Sequence, residues 1–214
     1  MLAAAGVVFI RLDATWFHRS AKTSANAASN SVSDYRTAAA PLAKVVSPGS
    51  NSFIQVQTLP EIPAISAAPN HLIIPSIGVN APVKRLGLEA DGKMAVPHNY
   101  TQVGLYSGGA VPGEIGTAVM GAHVDNGSSV AGVFKHLSEI EKGAYIYVTD
   151  GEGKQVIFKV TDVKVYPFDQ DDTHEVFDQS ADAARLNIIT CYGTWLPKQN
   201  TYDRRIVVFA ERVA

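Results

Sequence analysis

The sequence predicts a mainly β protein, a mostly antiparallel barrel carrying one or two short helices. Three observations predict it. From residue 70 onward, short runs rich in Val, Ile, Tyr and Phe recur, separated by turn-forming residues. Lys159 to Tyr166 alternates polar and apolar, as a strand with one buried face does. Asp150-Gly151-Glu152-Gly153 sits between two apolar runs as a hairpin turn.

Composition bounds the rest. Of 214 residues, 46% are hydrophobic and 18% charged, enough to build a core and too apolar for wholesale disorder. The formal net charge of −2 leaves no electrostatic footprint for nucleic acid. A single cysteine excludes an intrachain disulfide framework and any Cys-rich metal site.

The elements follow in chain order. Residues 1–10 are apolar and Arg11 follows. A span needs about 20 apolar residues, and no basic segment precedes this run as it would in a secretory signal. Residues 1–19 are therefore expected to be the remnant of a truncated membrane anchor and its flank. A short apolar N-terminus is the alternative. Residues 20–69 are rich in Ala, Ser, Asn, Thr and Pro, with Tyr35 and Phe53 the only aromatics. That composition cannot bury a core and reads as a disordered linker or stalk.

Residues 70–214 are expected to form the folded domain. Its predicted strands cover His71–Pro75, Gly116–Ala122, Ala144–Thr149, Gln155–Pro167, Arg185–Cys191 and Arg205–Arg212. Helical signal is confined to Val133–Ile140 and Ser180–Ala184. No internal repeat is visible.

Three residues at predicted strand ends bear chemistry. Cys191 closes the run Leu186 to Cys191, and Tyr192-Gly193 breaks the strand after it. A lone thiol is either a small buried apolar residue or a nucleophile that needs a cationic or histidine partner. His123 follows the apolar run Thr117–Ala122 and precedes a turn at Asp125-Asn126-Gly127. Histidine is the side chain most readily poised for proton transfer near neutral pH. Asp125 has two readings, as an orienting partner for His123 or as a turn former. His71, His98, His136 and His174 read as solvated, and His18 lies before the linker. Arg204 and Arg205 open the last run; a guanidinium can donate to a developing oxyanion, or simply solvate a strand end.

At these residues the sequence resembles the sortase family. Ile188-Ile189-Thr190-Cys191 resembles the family's Leu-x-Thr-Cys segment. Gly121-Ala122-His123-Val124-Asp125 resembles the segment around its catalytic histidine. Arg205 to Ala210 resembles the strand that begins with its catalytic arginine. Leu72 to Val83 is similar to the family's opening strand pair, and Ala110 to Gly116 to its Pro-Gly turn. The resemblance spans residues 70–212 and looks closest to the class E and F enzymes. Three departures stand out. Ala122 replaces a glycine, Ile188 replaces a leucine, and the paired arginines leave the register open. Strand alternation points Arg204 and Arg205 to opposite faces. Family spacing favours Arg205, with Arg204 the fallback.

The resemblance implies a closed barrel of about eight strands and a cysteine transpeptidase needing no cofactor. Cys191 would attack the Thr–Gly carbonyl of a Leu-Pro-x-Thr-Gly-type sorting signal on a secreted surface protein. His123 would shuttle the proton and Arg205 would hold the oxyanion. The thioester would pass to an amine, from a cell-wall peptide or a pilin lysine, or to water. The implied place of work is the extracytoplasmic face of a bacterial membrane, as a monomer held by the N-terminal anchor. Some sortases use calcium in a loop comparable to Asp169 to Asp178. Spaced carboxylates there can ligate Ca²⁺, but the segment lacks the spacing of a dedicated calcium loop and is read as a solvated acidic loop. Two rival readings remain: a catalytically silent peptide-binding domain, and a thiol peptidase that mainly hydrolyses.

Overall fold

The computed structural model describes residues 68–127, 130–170, 174–180 and 182–213. The expected anchor of residues 1–19 lies outside them, as does the expected linker apart from Ala68 and Pro69. Among the described residues no helix is long and apolar enough to cross a membrane.

Eight strands close a barrel: β1 (Pro69–Ile74), β2 (Val79–Leu86), β3 (Val103–Tyr106), β4 (Gly116–Gly121), β5 (Tyr145–Asp150), β6 (Gln155–Pro167), β7 (Ala184–Leu196) and β8 (Thr201–Arg212). Around the barrel they run β1-β2-β3-β4-β7-β8-β6-β5. Pairing is antiparallel except for β2–β3 and β4–β7, which are parallel. The β5–β6 hairpin turns at the expected residues. Asp150 accepts from the backbone N–H groups of Glu152 and Lys154 through Oδ1, closing the turn.

The barrel interior is apolar. Leu72, Ile74, Leu105, Met120, Ile146, Phe158, Leu186, Ile188 and Val208 meet there. A second apolar layer lies outside the sheet. Val119 of β4, Ile189 and Cys191 of β7 and Val207 of β8 are covered there by Met94 and Val96 from the β2–β3 connection. Val176 and Phe177 of a one-turn helix, α1 (His174–Phe177), complete that cover. Strand β7 is therefore buried on both faces from Leu186 to Cys191. A strand buried on both faces reads as a continuous apolar run, not an alternating one.

Four local expectations are corrected. Ser180–Ala184 is not helical among its described residues. The Ser180 hydroxyl accepts from the Ala183 N–H at 3.0 Å and donates to Asp182, a local turn that competes with helix. Val133–Ile140 forms only a 3₁₀ turn, Leu137–Glu139. Cys191 does not end its strand. β7 runs on to Leu196 past a bulge between Tyr192 and Trp195. Gly193 takes φ +91° in that bulge, and a Cβ there would lie 2.1 Å from Asp203 Oδ1. Nor does Arg205 open its strand, because β8 begins at Thr201 and pairs Leu196↔Thr201 and Trp195↔Tyr202 beyond the bulge.

Candidate active site

Register brings two of the three expected residues face to face. Cys191 of β7 and Arg205 of β8 are direct cross-strand partners. Directly opposite side chains share a face, with Cβ atoms about 4.5–5.5 Å apart. The next pair on that face is Ile189↔Val207. On the other side of β8, Arg205 is paired with Tyr166 of β6.

Arg205 is 2% exposed and Cys191 1% exposed. Arg204 is paired with Tyr192 instead, and its side chain is 60% exposed beside Asp203. The alternation of a strand thus separates the two arginines, and Arg205 is the one on the thiol's face.

His123 comes from the other neighbour of β7. Parallel pairing of β4 with β7 ends at Gly121↔Ile189. His123 lies two residues past Gly121, as Cys191 lies two past Ile189, so the two are level. Thr190 fastens this alignment by donating its hydroxyl to the Ala122 carbonyl at 2.8 Å. His123 is 2% exposed. Its Nε2 is 2.9 Å from the Pro97 carbonyl, and its ring lies against Tyr100, centroids 4.6 Å apart. A carbonyl only accepts, so Nε2 carries a proton in this arrangement. Gly132 makes the fold-back behind His123 feasible, since a Cβ there would lie 2.1 Å from the His123 carbonyl oxygen.

The guanidinium of Arg205 is fixed by its own strand. Nη1 donates to the carbonyls of Tyr202 and Arg204 at 3.0 and 2.8 Å, and Nη2 donates to Thr201 Oγ1 at 2.8 Å. Its Nε is buried with no hydrogen-bond partner among the described residues. A buried donor left unpaired costs about 1–3 kcal/mol.

Burial pushes the Cys191 thiol up from its ordinary range. The Arg205 charge opposes that shift, the Asp125 carboxylate reinforces it, and the Tyr202 backbone and Thr201 hydroxyl favour the thiolate. Desolvation also lowers the Arg205 pKa, with the Cys191 charge opposing it.

Sequence reasoning missed Thr201 and Tyr202 as neighbours of the thiol, because they lie beyond a bulge that a local pattern does not reveal. Asp125 forms the expected Asx turn, accepting from the Gly127 N–H at 2.8 Å, and also binds the Tyr202 hydroxyl. Of the other histidines, His98, His136 and His174 are exposed and His71 half-buried, while His18 lies outside the described residues.

A cavity of about 380 Å³ opens beside Arg205, with Tyr166, Phe168, Val176, Ile189 and Val207 among its other walls. α1 forms its outer side. Glu175 of α1 holds Lys164 of β6 in an ion pair and accepts from the Tyr166 hydroxyl at 2.7 Å. Those contacts, Lys164 first, keep the Glu175 carboxyl below its ordinary range. Among the described residues no three His, Cys, Asp or Glu side chains gather as metal ligands. Asp171 and Asp172 of the acidic stretch lie outside them.

Comparison with known proteins follows the same outline. The sortase domain profile matches residues 72–213. Comparison with curated proteins returns no match. Among solved structures, sortase C-1 of Actinomyces oris shares 24% identity at a TM-score of 0.53, covering 68% of this chain and 73% of that one. A lid mutant of sortase A from Corynebacterium diphtheriae shares 20% identity at 0.54, covering 69% and 70%. The sortase D5 transpeptidase of Clostridium perfringens shares 20% identity at 0.52, covering 69% and 79%. At these identities the structural likeness speaks for the barrel, and the domain match across most of the chain speaks for descent. The chain belongs to the sortase family of cysteine transpeptidases.

Proposed function

We propose that this sortase cleaves a Leu-Pro-x-Thr-Gly-type sorting signal between Thr and Gly and passes the acyl group to an amine. The observation that carries the reading is the cross-strand pair of Cys191 and Arg205, with Arg205 Nε a buried donor lacking a partner among the described residues. An oxyanion formed at a carbonyl attacked by Cys191 Sγ would satisfy that donor as its charge develops, the condition for preorganised electrostatic stabilisation.

In this mechanism the Cys191 thiolate adds to the Thr carbonyl carbon. His123 protonates the departing glycine nitrogen as the carbon–nitrogen bond breaks, leaving a thioester. An incoming amine then attacks the thioester, His123 takes its proton, and Cys191 leaves as thiolate. The cavity between β6, α1 and β7 suits the apolar part of an extended peptide running up to the thiol.

Membrane anchoring through residues 1–19, a tether over residues 20–69 and work at the extracytoplasmic face of a bacterial cell belong to the same reading. So do the acceptors, a cell-wall peptide amine or a pilin lysine, a monomeric state and the class E or F affiliation. These rest on sequence likeness and composition.

The test incubates the full chain with Leu-Pro-x-Thr-Gly-like peptides, with and without glycine or lysine amines, and reads products by mass spectrometry. Amine-dependent ligation after Thr, lost in Cys191→Ala, is the expected result. Cleavage without ligation would replace the reading with a hydrolase. No cleavage together with an unreactive Cys191 would replace it with a silent peptide-binding domain.

A further inference from the structure

Tyr202 joins three parts of the site that are far apart in sequence. Its hydroxyl donates to the Asp125 carboxylate, 2.9 Å from Oδ1 and 2.7 Å from Oδ2. Its carbonyl accepts from Arg205 Nη1 at 3.0 Å. Its backbone N–H, like the Thr201 hydroxyl, favours the Cys191 thiolate. Tyr202 is seated by Trp195 across the hairpin, ring centroids 5.3 Å apart and edge to face. Asp125, two residues from His123, is fixed in turn by its Asx turn to Gly127 and by backbone bridging to Ala131.

We propose that Tyr202 and Asp125 form a positioning pair that clamps the His123 segment to the β7–β8 hairpin and fixes the Asp125 carboxylate at the hairpin that carries Cys191. The proposal deepens the transpeptidase reading and rests on it. Geometry supplies the first half. Besides the Thr190–Ala122 bond, the Tyr202–Asp125 bond ties the histidine segment to the hairpin.

Charge supplies the second half. The ionisable groups about the thiol are Arg205 and Tyr202 from β8, and Asp125 and, by register, His123 from the segment after β4. Arg205 favours the thiolate and Asp125 disfavours it. A carboxylate held at that point by a phenol favours the neutral thiol between turnovers. Burial and the hydrogen bond to Asp125 push the Tyr202 phenol well above its ordinary range, so it stays a donor throughout the working pH range.

The test compares Tyr202→Phe, Asp125→Asn and the double variant in the full chain. Tyr202→Phe keeps the ring on Trp195, and Asp125→Asn keeps the Asx turn, so both should fold. Two readouts are taken: steady-state transfer of the sorting peptide to an amine, and the pH profile of Cys191 alkylation by iodoacetamide. Each single variant is expected to lower kcat about 10- to 100-fold with the peptide KM within about twofold, as for a small misplacement of a reacting group. Asp125→Asn is expected to move the alkylation midpoint to lower pH, since it removes the charge that disfavours the thiolate. The double variant should be no worse than the worse single one.

Transfer rates and alkylation profiles like those of the wild type would overturn the proposal. So would lost activity with lowered thermal stability and an unmoved alkylation profile, which marks a structural role only. If the wild type neither cleaves nor transfers, the transpeptidase reading fails, while the alkylation profiles still decide whether Asp125 controls the thiol.

Discussion

The hydroxyl of Thr190 donates to the carbonyl oxygen of Ala122 at 2.8 Å. Thr190 immediately precedes Cys191, and Ala122 immediately precedes His123. One buried hydrogen bond therefore keeps thiol and imidazole level across β4 and β7. Replacing Thr190 with Val keeps the shape and strands the Ala122 carbonyl. The expected cost is about 1–3 kcal/mol, read as a lowered melting temperature, with transfer activity falling further than stability. Thr190→Ser should recover most of both. An unaltered melting temperature in Thr190→Val would show that the bond does not hold the strands in register.

The two arginines should behave unlike each other. Arg205 is buried and faces the thiol, whereas Arg204 is solvated. Arg205→Ala is expected to lower kcat about 10²- to 10³-fold, the loss typical of one oxyanion donor. Arg205→Lys should be nearly as poor, because an ammonium cannot reproduce the planar fork bound to Thr201, Tyr202 and Arg204. Arg204→Ala should leave kcat/KM within about twofold and stability within about 0.5 kcal/mol. The reverse ranking would transfer the role to Arg204.

Cys191 links stability to pH. Its folded pKa is raised above the unfolded value of about 8.5, chiefly by burial. The folded state thus favours the neutral thiol. That contribution is fully present below about pH 8.5 and is lost as pH rises through the folded value, because only the unfolded chain ionises freely there. The melting temperature of the wild type relative to Cys191→Ala should fall between pH 7 and pH 10. A constant difference would mean that the thiol titrates alike in both states.

Gly132 has no room for a side chain, since a Cβ would lie 2.1 Å from the His123 carbonyl oxygen. Gly132→Ala should displace the histidine backbone, cost about 1–3 kcal/mol as an overpacked site does, and abolish most transfer activity. Gly127, with φ +74° and open space around it, is the control. Gly127→Ala meets only left-handed backbone strain of about 1–2 kcal/mol. Its kcat per folded molecule should stay near wild type. Equal activity losses in the two variants would remove the special role of Gly132.

The amino-acid sequence by itself determined the class of fold, six of the eight strands and the hairpin at Asp150–Gly153, because each is written in local turn chemistry and apolar runs. β2 came from family likeness alone. β3, four residues long, and the single-turn α1 carry too few residues for any period to show. His123 and Cys191 stood out because each carries chemistry at the edge of an apolar run. The tertiary structure decided the rest. Burial of β7 on both faces erased the alternation that would have shown which way Cys191 points, and a bulge at Gly193 hid Thr201 and Tyr202 beyond it. Which arginine faces the thiol depended on register with β7. The bonds that align the site join Ala122 to Thr190 and Asp125 to Tyr202, across 68 and 77 residues of chain. No local pattern records a contact at that separation, because it exists only once the barrel has closed.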